Sequence, residues 1–331
     1  MTDTRFDVLA IGNAIVDVIA RVDDAFLERE GYEKGSMRLI DPARAEELYS
    51  RMGPGREISG GSAANTLAGV AALGHRCAFI GQVADDQLGA VFQHDIRALG
   101  VAFDVPPRAG EPPTGRCLVL VAPDGERTMN TSLGAAHYLP ESAAEPELVA
   151  SARFLYIEGY MWDPPEPRRA ILRAIGAARA AGRTVALALS AIFLMEMYRD
   201  DFLKLLDDGL VDILFCNEGE AAAMMQGMDL DSATEALAAR VPLLVVTHGE
   251  KGATAVSGGR RYSVPAERVD KVVDTTGAGD LFAAGFLAGQ VEGRGIEESL
   301  RMGAIAAAEV ISHYGARPDA DLKALVAEKL G

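Results

Sequence analysis

Short apolar runs alternate with alanine-rich stretches of helical period along nearly the whole chain, and few folds accommodate that alternation. Residues 8–11, 78–83, 154–157, 185–189, 213–216 and 243–247 are mostly apolar and too short for helices, as buried strands are. Between them, 63–73, 87–99, 168–180, 218–225 and 233–239 carry apolar residues at helical spacing. Several of these helices should stop just before Gly74, Gly100 and Gly182, where a left-handed cap suits glycine. Strand, helix, strand in repetition predicts an α/β fold, a mostly parallel sheet covered by helices on both faces. Ligands of such sheets sit beyond the carboxyl ends of the strands.

Two segments break the rhythm. Residues 15–40 alternate more and hold Gly31 and Gly35; residues 101–131 hold Pro106, Pro107, Pro112 and Pro113 among strand-like pieces. Both read as excursions from the α/β body that can pair into a small sheet, or as two surface hairpins. Neither a repeat nor a linker divides the 331 residues, so one domain, 1–331, is expected.

Charge and cysteine content narrow the class of partner. Asp plus Glu number 48 against 32 Lys plus Arg, a net charge of −16. Such a surface disfavours nucleic acid and anionic membranes, though a local pocket can still take an anionic small molecule. Cys77, Cys117 and Cys216 form no CxxC pair and fit reduced, buried thiols. There is no apolar run long enough to span a membrane and no signal-peptide pattern at the N-terminus, so a cytoplasmic location is expected.

The segment Asp274-Thr275-Thr276-Gly277-Ala278-Gly279-Asp280 runs into the apolar stretch Leu281-Phe282-Ala283-Ala284-Gly285-Phe286. A small-residue loop opening an apolar helix lets first-turn N–H groups face an anion, and phosphate oxygens fit there. Asp280, at the helix start, can take a proton from a substrate hydroxyl beside that phosphate. The helix dipole is expected to keep Asp280 ionised and only weakly basic. Its competing role is a plain N-terminal charge on the helix.

Other motifs are individually ambiguous. Ser59-Gly60-Gly61-Ser62-Ala63-Ala64-Asn65 suits close approach of a polyhydroxylated ligand, and equally a turn into a helix. Asn13 and Asp17 share parity if they lie on one strand, and would then face a sugar together; an exposed hairpin is the alternative. Asn217-Glu218-Gly219-Glu220 reads both as a capping box and as a water-mediated Mg²⁺ site at a strand end. Thr247-His248-Gly249-Glu250-Lys251-Gly252 suits either a nucleotide or a hairpin turn. His248 and His313 are given no catalytic role. P-loop, GxGxxG, HExxH, GxSxG and EF-hand spacings are absent.

Taken in order, Gly60-Gly61-x-x-x-Asn65, Asn217-x-x-Glu220, Thr247-x-Gly249-x-x-Gly252 and the 274–280 motif make the chain resemble the ribokinase-like (PfkB) carbohydrate kinases from about residue 7 to 318. The resemblance implies a Rossmann-like body, a small β-sheet lid from insertions about 15–40 and 101–131, and ATP-dependent phosphorylation of a hydroxymethyl group. It implies Asp280 as base, with Gly277, Ala278 and Gly279 forming the anion hole. Asn217 and Glu220 would serve the Mg²⁺–phosphate site, and Thr247, Gly249, Gly252 and Thr276 the nucleotide. Asn13, Asp17, Gly60, Gly61 and Asn65 would hold the acceptor.

Gly12-Asn13-Ala14-Ile15-Val16-Asp17, Pro113-Thr114-Gly115-Arg116-Cys117 and Leu189-Ser190-Ala191-Ile192-Phe193 are most similar to the adenosine kinase branch. That likeness implies a purine site lined by Leu39, Leu133, Tyr160 and Phe193. Two positions depart from the family pattern: Ala84 replaces a glycine, and Ala188 replaces a residue that is often polar. The expected function is transfer of the γ-phosphoryl group of ATP to the 5′-OH of adenosine. Kinases of another nucleoside, of ribose, fructose or 2-keto-3-deoxygluconate are the nearer alternatives, and a non-catalytic nucleoside sensor the farther one. ATP and Mg²⁺, with a monovalent cation such as K⁺ near Asp274–Thr276, are the expected cofactors. A monomer or a homodimer is expected.

Overall fold

A computed structural model describes residues 4–331. The chain opens with β1 (Phe6–Ile11), buried along its whole length, and crosses into β2 (Ile15–Arg21). Next come α1 (Asp24–Glu30), β3 (Met37–Leu39), α2 (Pro42–Arg51) and β4 (Arg56–Gly60). A return to the body gives α3 (Ser62–Ala72), β5 (Cys77–Ile80) and α4 (Gln87–Ala98). The hairpin β6 (Thr114–Val121) and β7 (Arg127–Gly134) follows. The alternating body then runs α5 (Pro146–Ala150), β8 (Ala152–Glu158), α6 (Pro165–Ala180), β9 (Thr184–Ala188), α7 (Ile192–Asp207) and β10 (Ile213–Asn217). After α8 (Glu218–Met224) and α9 (Leu230–Ala238), three strands follow: β11 (Leu243–Thr247), β12 (Ala253–Ser257) and β13 (Arg260–Val264). The chain closes with α10 (Ala278–Val291), α11 (Ile296–Val310) and α12 (Leu322–Leu330).

The larger sheet has the order β13-β12-β11-β10-β9-β8-β1-β5, parallel except at β12 and β13. Each expected buried strand lies in it, because apolar runs of this length satisfy both a ladder and two covered faces. Gly74, Gly100 and Gly182 all have positive φ at the ends of α3, α4 and α6.

The α10 helix is apolar all round and lies inside the body, packed on α3 and α11. No side chain fits at Gly285, against the Met302 backbone, or at Gly69, against Leu281. Small residues there let the helix axes approach and draw the N-terminus of α10 towards the sheet's carboxyl edge.

The smaller sheet has the order β3-β7-β6-β2-β4. One face packs on α1 and α2 through Val18, Leu27, Leu48, Leu118 and Leu120. The other carries Ile15, Cys117, Val119 and Met129. Three expectations need correction. Strand β4 joins this sheet although it lies outside both excursions. Residues 101–113 run beside the larger sheet, bridging Ala102 to Ala78 and Arg108 to Ala84. Asn13 and Asp17 do not share a strand: Asn13 sits in the crossing between the sheets and Asp17 in β2.

Candidate active site

The smaller sheet covers a cavity of about 540 Å³ at the carboxyl edge of the larger one. One part of its wall is the start of α10. Gly277 holds the N-cap position at φ 80°, and an added Cβ would lie 2.7 Å from that of Ala316. Only glycine meets both conditions. The first intrahelical bond, Leu281 N to Gly277 O at 2.8 Å, leaves the amides of Gly279 and Asp280 without an intrahelical acceptor. Thr276, Gly277, Gly279 and Asp280 line the cavity, whereas Ala278, expected in the anion hole, does not.

The Asp280 carboxylate accepts from Ser62 Oγ at 2.6 Å and from Asn65 Nδ2 at 3.1 Å, both on the first turns of α3. Burial pushes its pKa above the usual carboxylate range, and these two bonds pull it partly back. The expectation of a weakly basic Asp280 is therefore corrected. Asn65, expected to hold an acceptor, lines the cavity; its Nδ2 donates to Asp280, and its Oδ1 has no partner among the described residues.

Asp17 faces the cavity from β2, and Gly60 has no side chain because its Cβ would lie 2.6 Å from that carboxylate. Burial raises the Asp17 pKa to about 7; the charges of Arg317 and Arg127 oppose that, while Asp280 and Asp274 add to it. Among the described residues no hydrogen-bond donor reaches its carboxylate, so its oxygens are free for a ligand. Asn13 and Gly61 also line the cavity. Another part of the wall is apolar. Leu39 and Leu133 come from the smaller sheet, and Tyr160 and Phe193, 6.4 Å apart between ring centres, from the body.

Asn217, Glu220 and Thr247 line the opposite end. Asn217 and Glu220 form the full capping box of α8, with Glu220 N donating to Asn217 Oδ1 at 2.9 Å. Both Glu220 oxygens accept from Asn217, and burial raises its pKa. Among the described residues no group of three or more acidic, His or Cys side chains converges as a metal cage. Mg²⁺ retains several waters and needs only one or two carboxylates beside phosphate, so Glu220 fits as a ligand acting through water. Gly249 and Gly252 do not reach the cavity. They form the turn between β11 and β12, where Gly252 (φ 103°) packs against the backbone of residues 264–266. His248 is held by Glu218 and Thr254, a structural role.

The site also contains residues that the motifs did not single out. Glu158, fully buried at the end of β8, accepts from Asn13 N, Asn13 Nδ2 and Ala63 N at 2.8, 2.6 and 2.7 Å. Arg127 of β7 pairs with Asp274 at 2.6 Å, both nearly enclosed. Ser190, the one described non-glycine with positive φ (72°), accepts from Gly159 N at 2.9 Å on the cavity wall. An acid ending an apolar strand was the available signal for Glu158. Ser190 stood within the Leu189–Phe193 stretch without a role of its own, and Arg127 had no signal.

The family model described as pfkB family carbohydrate kinase matches residues 6–323. The chain belongs to this family. Among curated members, Adenosine kinase 1 of Arabidopsis thaliana is 30% identical over 342 residues, covering 95% of this chain and 97% of the relative. An adenosine kinase structure from Sinorhizobium meliloti superposes with TM-score 0.93 at 51% identity, covering 99% of this chain and 100% of that one. A probable sugar kinase structure from Rhizobium etli superposes with TM-score 0.94 at 48% identity, covering 98% and 99%. For this pfkB kinase the family implies ATP and typically Mg²⁺. Among the described residues no helix is long and apolar enough to cross a membrane.

Proposed function

We propose that this protein is an adenosine kinase, moving the γ-phosphoryl group of ATP to the 5′-OH of adenosine to give AMP. The observation that carries the reading is one cavity with three unlike walls: the amide-rich mouth of α10 beside Asp280, the unpartnered carboxylate of Asp17, and the apolar surface of Leu39, Leu133, Tyr160 and Phe193. A phosphoryl group, a hydroxylated sugar and a flat apolar base match these in turn. The names of the Arabidopsis and Sinorhizobium relatives support the same choice.

In this reading Asp17 and Asn13 accept from ribose hydroxyls and set the 5′-OH against Asp280. The Asp280 carboxylate takes the hydroxyl proton as the new P–O bond forms. The free amides of Gly279 and Asp280 receive the developing charge on the transferred group, and positioning supplies much of the remaining rate. Glu220, with Asn217, would hold Mg²⁺ through water, and the ion would supply neutralisation of phosphate charge. Asp274 is already ion-paired with Arg127 and accepts from Thr276 N and Gly315 N, so K⁺ is assigned no role there. The whole chain acts as one kinase domain, with the smaller sheet as its lid.

The test is ADP formation from Mg·ATP with a panel of adenosine, guanosine, inosine, ribose, fructose and 2-keto-3-deoxygluconate. Adenosine should have the highest kcat/KM. A free sugar outrunning adenosine would replace this reading with a sugar kinase.

A further inference from the structure

Glu158 is the most buried acid in the cavity wall, and the phosphoryl transfer described above gives it nothing to do. It has no exposed surface and no cationic partner among its hydrogen bonds. A buried carboxylate is costly unless its oxygens are satisfied. Here three N–H groups satisfy it: the backbone and side-chain nitrogens of Asn13 meet one oxygen, and Ala63 N meets the other. Packing around it is close enough that Gly12 cannot carry a side chain, since its Cβ would lie 2.6 Å from Glu158 Oε2. Burial raises its pKa and the three donors oppose the rise, which leaves it at about 7.

These contacts have two consequences. An Asn amide can be turned either way, and only its nitrogen tolerates a carboxylate at 2.6 Å. Asn13 is therefore fixed with Nδ2 on Glu158, and among the described residues nothing donates to its Oδ1. Asn13 Oδ1 and the Asp17 carboxylate then face the cavity as neighbouring hydrogen-bond acceptors, suited to a ligand that brings hydroxyl donors. The second oxygen of Glu158 grips the first turn of α3, the helix whose Ser62 and Asn65 hold Asp280.

We propose that Glu158 is a positioning residue for the phosphoryl acceptor: it fixes the Asn13 amide with its oxygen towards the ribose hydroxyls and ties that contact to the helix that holds the base. The proposal rests on the adenosine kinase reading and adds to it a residue that acts through Asn13 without touching the substrate.

A double-mutant cycle tests it, with wild type, E158Q, N13A and E158Q/N13A assayed on adenosine and on 3′-deoxyadenosine. The single E158Q change should raise the KM for adenosine about tenfold or more, a loss of about 1.4 kcal/mol, with the KM for Mg·ATP within about twofold of wild type. The preference for adenosine over the deoxy analogue should shrink, because a loosened amide no longer offers its oxygen alone. In the N13A background E158Q should change the adenosine KM by less than about threefold, since coupled residues are non-additive. Independent, multiplying effects would overturn the proposal, as would an unchanged adenosine KM in E158Q. Should E158Q not fold, E158D keeps the charge but shortens the reach; a folded E158D with wild-type adenosine KM would overturn it equally. A wrong choice of acceptor shows separately, as absent adenosine turnover in the wild type before any variant is compared.

Discussion

Three influences act on the carboxyl of Asp280. Its place at the start of α10 favours the charged form by about 0.3–1 kcal/mol, up to about 2 when partly buried. Ser62 and Asn65 add charge-assisted bonds of about 1.5–3 kcal/mol each. Withdrawal from water costs several kcal/mol, and that cost prevails, so the pKa moves up rather than down. A raised pKa suits a base better than the weakly basic carboxylate that the dipole alone would give. Asp280→Asn should lower kcat by about two orders of magnitude or more and leave the ATP dissociation constant within about twofold. Turnover within tenfold of wild type would remove the base assignment. Asp17 is a second strained acid. Its pKa of about 7 lies above the 3.8 of an unperturbed Asp, so the folded state holds this proton more tightly than the unfolded chain. Stability from that proton is complete below about pH 4 and is lost as pH rises to about 7. Above that the folded state carries a poorly compensated charge, despite Arg317 and Arg127 nearby. Asp17→Asn should therefore melt higher than wild type at pH 8, with the difference shrinking towards pH 5. Thermal melts at both values check this, and an equal difference at both would contradict it.

Elements built from local pattern were readable, and those built by pairing at a distance were not. Apolar runs at 8–11, 154–157, 213–216 and 243–247 announced the parallel sheet because strands covered on both faces need nothing else. The helix after Gly277 was equally plain, since its apolar residues cover every side and only an interior helix tolerates that. By contrast, β4 reads Arg-Glu-Ile-Ser-Gly and becomes a strand through pairing with β2, more than thirty residues earlier in the chain. The crossing at Gly12–Ala14 separated Asn13 from Asp17, yet the fold still brought both to the cavity. The 277–280 loop, Asp17 and the apolar wall could be read from the chain. Glu158, Arg127 and Ser62 matter through partners far away in sequence, and spacing carries no record of those contacts. The turn glycines Gly249 and Gly252 show the converse: a motif in the right order, with geometry that serves the hairpin.

At the scale of the whole molecule, the smaller sheet is tied to the body around the rim of the cavity. Arg127 pairs with Asp274 at the start of the 274–280 loop. Thr114 N donates to Asp86 at the start of α4 at 2.8 Å, and Ser59 Oγ donates to Asp95 at 3.0 Å. Under the proposed function, the inward apolar face of this sheet would shut water out while the acceptor is in place and so guard the γ-phosphate against hydrolysis. The most direct measurement is the stoichiometry of products from Mg·ATP with and without adenosine. The account predicts one AMP for each ADP when adenosine is present, and ADP formation slower by about two orders of magnitude when it is absent. Equal rates of ADP formation in the two samples, or ADP released without matching AMP, would contradict it.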